Sequence, residues 1–153
     1  METLHELAQP RLIGALLRIP FQATVTRVYE DVVAAGYTDL RPAHFTPFQH
    51  LRPEGSHITE LAERAQMTKQ SMGYLVDYLE ARGYVERVLD PADGRAKLVR
   101  LTTRGRALAR VARASLERLE AEWARRLGSD SMAHLHRLLE ELVAVVEQPS
   151  ARG

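Results

Sequence analysis

ITELAERAQMTKQSMGYLVDYLEARGYVERVLDPADGRAKLVRL, residues 58 to 101, carries the strongest structural signals in this 153-residue chain. Apolar residues recur at helical spacing in two runs over residues 58 to 82. Thr68 precedes the second run and can cap it, because its hydroxyl can accept from the backbone N–H of Ser71. Gly83 follows the run and can adopt the left-handed conformation that ends helices. The stretch therefore begins with two predicted helices joined by a short turn.

Two short β-rich runs follow, at 85–89 and 97–101, and the Asp, Pro and Gly residues between them predict a turn. Arg95 lies just past the turn on the projecting part of this predicted hairpin, where its guanidinium can enter a minor groove of DNA. Asp93 is expected to hold Arg95 in place, and Lys97 lies near enough to meet a phosphate. Helix, turn, helix and hairpin in this order predict a winged helix-turn-helix.

The second helix of the pair would present its first turn to DNA. At about 1.5 Å per residue it is on the order of 20 Å long, which suits a major groove roughly 12 Å wide. Its start carries side chains that can donate to base edges and phosphates, beside the free N–H groups of the first turn. The candidate DNA-binding residues are Thr68, Lys69, Gln70, Ser71 and Tyr74 on the helix, with Arg95 and Lys97 on the hairpin. The plainer alternative is a solvated helix start and a solvated hairpin, but the complete order of parts favours DNA binding.

Short motifs along this segment are specific when taken together. They are Leu61-Ala62-Glu63, the runs at 75–80, 82–85, 90–97 and 99–102, and Gly105. Together they resemble the MarR family of bacterial transcription regulators, to which the whole chain is also similar in length and helix order. The resemblance implies a homodimer that reads a pseudo-palindromic operator in double-stranded DNA, with repression relieved by a small ligand or another signal.

The segment departs from that family at three positions. Gly94 stands where members often have an Arg, so the wing depends on Arg95 alone. Gly73 and Tyr74 stand where members often have a Thr-Arg pair. Gly73 lowers the stability of the helix by roughly 1 kcal/mol relative to Ala. The missing side chain would be useful only if the helix backbone approaches DNA closely at this position. Base preference therefore cannot be transferred from the family.

The terminal regions predict a dimerisation region, because their helices have broad apolar faces that one small subunit cannot cover. Pairing with a second copy about a twofold axis would bury them. We therefore predict a mostly α fold with a small β-hairpin wing: a winged helix-turn-helix domain plus a helical dimerisation region. The predicted parts are an N-terminal dimerisation helix at 1–36, the DNA-binding domain at 37–102, C-terminal dimerisation helices at 103–148 and a disordered tail at 149–153.

Hydroxyl and acidic residues near two other predicted helix starts suggest further caps. The first helix of the pair should begin near Ser56 or Thr59, and Ser129 or Asp130 should cap the last helix of the chain. Both caps would satisfy backbone N–H groups that a first helical turn leaves without partners.

Composition excludes several classes of protein. The chain has no Cys, which excludes a disulfide framework, a thiolate zinc site and a thiol redox sensor. No apolar run approaches the roughly 18 residues of a spanning helix, and the start lacks the order of a signal peptide, so we expect a cytoplasmic protein without membrane contact. The net charge is only +1, so the protein has little overall attraction for DNA. Contacts with DNA must therefore come from basic residues at particular positions.

Neither an enzyme nor a metalloprotein is predicted, and no cofactor is expected apart from a small-molecule effector. Glu63, Asp77 and Glu80 have no nucleophile or second acid placed beside them, and Asp77 can instead accept from an Arg or a backbone group. His134 and His136 lie two apart on a predicted helix, so their side chains point about 200° apart and are poorly placed to share a metal ion.

A ligand pocket is a separate hypothesis. Aromatic and imidazole side chains are concentrated in the segments that should join the dimerisation helices to the DNA-binding domain: Phe21, Tyr37, His44, Phe45 and Phe48. Most of them can equally be core residues. The resemblance implies an aromatic or phenolic effector in this region, whose binding would change the separation of the two recognition helices.

The leading prediction is a dimeric, sequence-specific DNA-binding transcription regulator. A repressor is favoured over an activator, because occupancy alone can block a promoter. The alternative is a winged-helix module that binds another protein and does not read DNA.

Overall fold

The computed structural model describes residues 11 to 148. The tail predicted at 149–153 and the first ten residues of the predicted N-terminal part lie outside this range. Within it the chain forms α-helices and one antiparallel hairpin, which confirms the predicted fold class. The elements are α1 (Ile13–Ala34), a 3-10 helix (Pro42–His44), α2 (Phe45–His50), α3 (Ile58–Arg64), α4 (Lys69–Ala81), β1 (Val85–Asp90), β2 (Asp93–Leu101), α5 (Thr103–Leu127) and α6 (Ser129–Glu147). No helix in the described range has the length and apolar character needed to cross a membrane.

The chain divides into two compact units, one ending at Ser115 and one beginning at Leu116. Helix α4 lies at the centre of the core of the first unit. Its Met72, Val76 and Leu79 lie about one helical turn apart on one face and are fully buried. Burial of such a side chain contributes about 1.5 to 3 kcal/mol. The core around this stripe comprises Val28, Val32, Leu40, Phe45, Leu61, Ala62, Tyr84, Val85, Val99 and Leu108. Helix α4 is therefore held on its inner face, and its outer face is left for a partner.

The ends of α4 follow the sequence prediction. The Ser71 backbone N–H donates to Thr68 Oγ1 at 3.0 Å, so Thr68 is the cap. Gly83 has a φ of +75°, and the next N–H, from Tyr84, donates back to the carbonyl oxygen of Leu79 at 2.9 Å. Gln66, with a φ of +53°, turns the chain between α3 and α4.

The other two predicted caps were wrong. Helix α3 follows His57 and has no side-chain cap, since the buried Ser56 hydroxyl accepts instead from the Arg52 backbone N–H at 3.1 Å. The backbone of Ser56 also pairs with that of Val99, which holds Ser56 in this position. Helix α6 follows Gly128, again without a side-chain cap, so the predicted caps are already helical residues.

The hairpin is longer than the sequence predicted, and its turn is shorter. Strand β2 begins at Asp93, which pairs with Asp90. A bulge interrupts the register between that pair and the next pair, Leu89 with Lys97, and the extra residues on β2 include Arg95. Extra residues on one strand bend it and re-aim side chains. Arg95 therefore lies past the turn, as predicted, but in a bulge within β2.

The second unit contains the end of α5 and α6, and α6 has no buried residue. Its exposed apolar residues recur at helical spacing and are Leu135, Leu138, Leu139, Leu142, Val143, Val145 and Val146. In the first unit α1 and the residue before it also expose a large apolar set, namely Leu12, Ile13, Leu16, Leu17, Ile19 and Phe21. Each helix thus leaves apolar surface that its own unit does not cover.

Candidate nucleic-acid interface

The first turn of α4 is exposed, and some of its side chains already make hydrogen bonds within the protein. Thr68 Oγ1 accepts from the Ser71 N–H and donates to Ser71 Oγ at 2.9 Å, so both hydroxyls help to hold the helix start. Gln70 Nε2 donates to Tyr74 Oη at 3.2 Å, and the Tyr74 side chain is 66% exposed. Lys69 is exposed beside them. The sequence-predicted residues of α4 therefore form one polar surface with two internal hydrogen bonds between side chains.

The hairpin tip is held by two aspartates. Asp90 Oδ1 accepts from the Ala92 N–H at 2.9 Å, and Asp93 Oδ1 accepts from the Arg95 N–H at 3.1 Å. Asp93 thus fixes the backbone of Arg95, whereas the guanidinium has no ion-pair partner among residues 11 to 148. Lys97 is exposed on the same strand. The projecting guanidinium keeps all its N–H donors for an external acceptor.

The wing is tied to α4 by Arg87, a residue that sequence reasoning did not single out. Its guanidinium lies 2.7 Å from Asp77 Oδ1 and 2.7 Å from Glu80 Oε1, and its backbone N–H donates to Glu80 Oε2 at 3.1 Å. Burial alone would lower the pKa of Arg87, but hydrogen bonds and charges of both carboxylates outweigh it and the pKa is raised. This network fixes the angle between β1 and α4, and it gives Asp77 the Arg partner that the sequence suggested.

A second tie joins the wing turn to the start of α3. His57 Nε2 lies 2.9 Å from Asp90 Oδ2, whose other oxygen holds the turn. These residues are far apart in the sequence and belong to no local pattern. The hairpin is thus connected to the helix-turn-helix at two places, through Asp90 at the start of α3 and through Arg87 on α4.

A polar cluster behind α4, around Asp39, was also missed. The Tyr84 hydroxyl donates to Asp39 Oδ1 at 2.6 Å, and Arg104 Nη2 donates to Tyr84 Oη at 3.0 Å. The Tyr78 hydroxyl donates to the carbonyl oxygen of Asp39 at 2.5 Å. Burial and the hydrogen bond to Asp39 raise the pKa of Tyr84 to about 12, which keeps the hydroxyl protonated as a donor. Asp39 therefore links the loop after α1 to α4 and to the start of α5.

The ring of Tyr78 is sandwiched between two side chains. The His44 ring stacks on it with centroids 3.9 Å apart and an interplanar angle of 8°, and Arg82 Cζ lies 3.4 Å from the ring centroid. Two groups this close to one ring must occupy opposite faces. His44 Nδ1 accepts from the Arg41 N–H at 2.9 Å, so this nitrogen carries no proton in the folded state.

The residues predicted to line a ligand pocket are only partly brought together. Phe45 is in the core, and Tyr37 and Phe48 are half-buried against it. Tyr37 lies 6.2 Å from Tyr84 between ring centroids. Phe21 is 55% exposed on α1. Three of the predicted side chains therefore pack on the common core, while His44 is engaged by Tyr78.

Acid should destabilise the fold through His44. Burial, together with the charges of Arg82 and Arg41, lowers the pKa of His44 although Asp39 opposes the shift. Because the unfolded chain then binds a proton before the folded chain does, stability is retained above the ordinary value of 6.5 and falls as the pH drops below it. Protonation of Nδ1 would also break the hydrogen bond from Arg41.

Urea unfolding between about pH 7.5 and pH 5.5 tests this expectation. His44→Gln should flatten the fall in the free energy of unfolding, whereas the control His134→Gln, at an exposed site on α6, should leave it as in the unchanged protein. Equal slopes for the unchanged protein and for His44→Gln would contradict the assignment.

Known proteins resemble this chain across most of its length. A sequence model of the MarR family matches residues 39 to 96. The HTH-type transcriptional repressor Rv2887 of Mycobacterium tuberculosis H37Rv is 36% identical over 130 residues, covering 85% of this chain and 87% of the relative.

Solved structures agree. CouR from Rhodococcus jostii RHA1, bound to p-coumaroyl-CoA, matches with a TM-score of 0.70 and 25% identity over 92% of this chain and 95% of that one. CouR bound to a 23-mer DNA duplex matches with a TM-score of 0.65 and 28% identity, over 86% of this chain and 92% of that one. The chain therefore belongs to the MarR family, whose members share this winged helix-turn-helix fold and are DNA-binding transcription regulators, not enzymes.

Proposed function

We propose that this protein is a cytoplasmic, homodimeric repressor that binds a pseudo-palindromic operator in double-stranded DNA. The observation that carries the proposal is an exposed polar first turn of α4 beside a wing that Arg87 fixes to the same helix. A rigid connection lets both parts meet adjacent grooves without an ordering cost on binding. The similarity to a named repressor and to a CouR structure with bound DNA supports the same conclusion.

Within this proposal the predicted residues have different roles. Lys69, Gln70 and Tyr74 meet the major groove, where Gln70 and Tyr74 must exchange their mutual hydrogen bond for base edges. Thr68 and Ser71 hold the helix start, whose N–H groups face a phosphate. Arg95 enters the minor groove, supported through its backbone by Asp93, and Lys97 meets a phosphate. Residues 37–102 would then be the DNA-binding domain, and the helices on either side, 11–36 and 103–148, the dimerisation region.

Arg95→Ala should weaken DNA binding by about 1 to 3 kcal/mol, because the guanidinium has no partner in the protein that would compensate for its removal. Fluorescence anisotropy with the DNA upstream of the protein's own gene, at fixed salt, measures the change. Arg126→Ala removes the same charge from an exposed site on α5 and should leave the affinity unchanged. If no DNA binds in any variant, the protein-interaction module becomes the better hypothesis.

The relief of repression by an aromatic or phenolic effector is the second part of the proposal. It is supported by the similarity to CouR with bound p-coumaroyl-CoA and by the aromatic side chains that pack around the core beside α4, including Tyr37 and Phe48. An effector that separates the recognition helices would lower affinity for an operator of fixed half-site spacing.

A panel of phenolic acids and p-coumaroyl-CoA, added to the preformed protein–DNA complex, tests the effector. We expect at least one compound to release the DNA at a concentration where it binds the free protein. If compounds bind without changing DNA affinity, or none binds, an aromatic effector is excluded.

A further inference from the structure

A separate cleft of about 790 Å³ lies beside the base of the hairpin. Its walls come from the segment between α2 and α3, from the paired ends of β1 and β2, and from the first half of α5. They include four guanidiniums, those of Arg52, Arg100, Arg106 and Arg113, and two carboxylates, those of Glu54 and Glu86. This volume is within the range of roughly 300 to 1,000 Å³ that small-molecule sites occupy.

The cleft lies on the side of the hairpin turned away from α4. Glu86 and Arg100 face each other across the hairpin, and their neighbours in the strands, Arg87 and Val99, point to the other face. That other face meets α4, because Arg87 contacts the carboxylate of Asp77. A molecule in the cleft would therefore not occupy the surface that we propose for reading bases.

The cleft also differs from the aromatic region around the core. On α5 the lining residues Arg106, Ala109 and Arg113 share one side at helical spacing, whereas Leu108 is buried in the core on another side. None of the five residues predicted to form an aromatic pocket lines this cleft. It is thus a second concave surface of the first unit.

Two of the guanidiniums are available to an external anion. The Arg52 guanidinium has no hydrogen-bond or ion-pair partner among residues 11 to 148. Arg106 donates to the Leu101 carbonyl oxygen at 2.9 Å and to Thr103 Oγ1 at 3.1 Å, which orients it while leaving its other N–H donors free. Arg100 and Glu86 are already paired at 2.8 Å. Arg52 and Arg106 therefore supply guanidinium donors that an external anion can use.

We propose that this cleft binds an organic diphosphate. Guanidiniums suit phosphate oxygens because their N–H donors can bind two oxygens at once, and two separate guanidiniums favour a ligand with more than one anionic group. Apolar groups of the lining, from Leu51, Pro53 and Ala109, provide surface for an organic portion. The ligand would connect the segment leading into α3 with α5. Because this cleft is separate from the proposed DNA-binding surface, the proposal goes beyond the repressor function and does not depend on it.

Calorimetric titration of the full chain, without DNA, tests the proposal with ADP, pyrophosphate and adenosine as probes. We expect ADP to bind with a Kd below about 1 mM, pyrophosphate to bind more weakly and adenosine not to bind. Arg52→Gln, which removes no side-chain hydrogen bond or ion pair among residues 11 to 148, should weaken ADP binding about tenfold, and Arg52→Gln with Arg106→Gln should weaken it further. Arg126→Gln, outside the cleft, should bind ADP like the unchanged protein.

Two results would overturn the proposal. One is the absence of saturable ADP binding below about 1 mM. Another is equal ADP binding by the unchanged protein and by Arg52→Gln. In that second case, a loss of DNA affinity by Arg52→Gln would assign the guanidinium to the DNA backbone.

Discussion

Gly105→Ala is expected to lower the free energy of unfolding by about 3 kcal/mol, at the upper end of the usual cost of overpacking. A Cβ at this position would overlap the carbonyl oxygen of Tyr84, and it would also lie 3.2 Å from Leu101 Cδ2. The Tyr84 carbonyl cannot move easily, because it accepts from the Thr102 N–H at 3.1 Å, and the Thr102 hydroxyl holds the preceding carbonyl oxygen, that of Gly83, at 2.5 Å. The substitution must therefore push α5 away from the end of α4.

Urea unfolding of the purified variant measures this loss. Gly94→Ala is the matched control, since a Cβ at residue 94 meets nothing within 4 Å and the backbone there needs no left-handed conformation. A loss below about 1 kcal/mol for Gly105→Ala would mean that the junction yields more easily than the hydrogen bonds of Thr102 indicate.

Leu138→Glu combined with Leu142→Glu is expected to separate the proposed dimer and to lower DNA affinity at least about hundredfold, because linked half-site binding multiplies affinity by about 10² to 10⁴. The two leucines lie one turn apart on α6 and are 45% and 36% exposed. Since α6 has no buried residue, charges on this stripe should disturb pairing with a second copy while each subunit remains folded.

Sedimentation and anisotropy on the same samples test this expectation. Ser131→Glu in the first turn of α6 with Gln148→Glu at its C-cap adds the same charge without removing apolar surface, so that control should remain dimeric and bind DNA. A monomeric Leu138→Glu, Leu142→Glu variant that keeps full affinity would show that one subunit suffices. A variant that stays dimeric would place the pairing surface elsewhere.

The sequence predicted the helix-turn-helix well because its signals are local. Thr68 caps a helix through a residue three positions away, and Gly83 ends the same helix through its own backbone conformation. The hairpin was predicted from its turn residues, but its bulge was not, since the register beside Arg95 depends on how both strands pair. The caps at Ser56 and Asp130 failed for a related reason: the chain on either side determines which residue stands before a helix.

Local sequence patterns were enough to predict which segments become helix, turn and strand, which face of α4 is apolar, and which side chains are exposed at its first turn. The contacts that join those parts, Arg87 with Asp77 and Glu80 and Asp39 with Tyr84, are visible only in the folded chain. The difference arises from the distance along the chain over which each kind of interaction acts. Helix periodicity and caps act over a few residues, whereas ion pairs and hydrogen bonds between distant residues form only after the apolar core has brought their elements within about 3 Å.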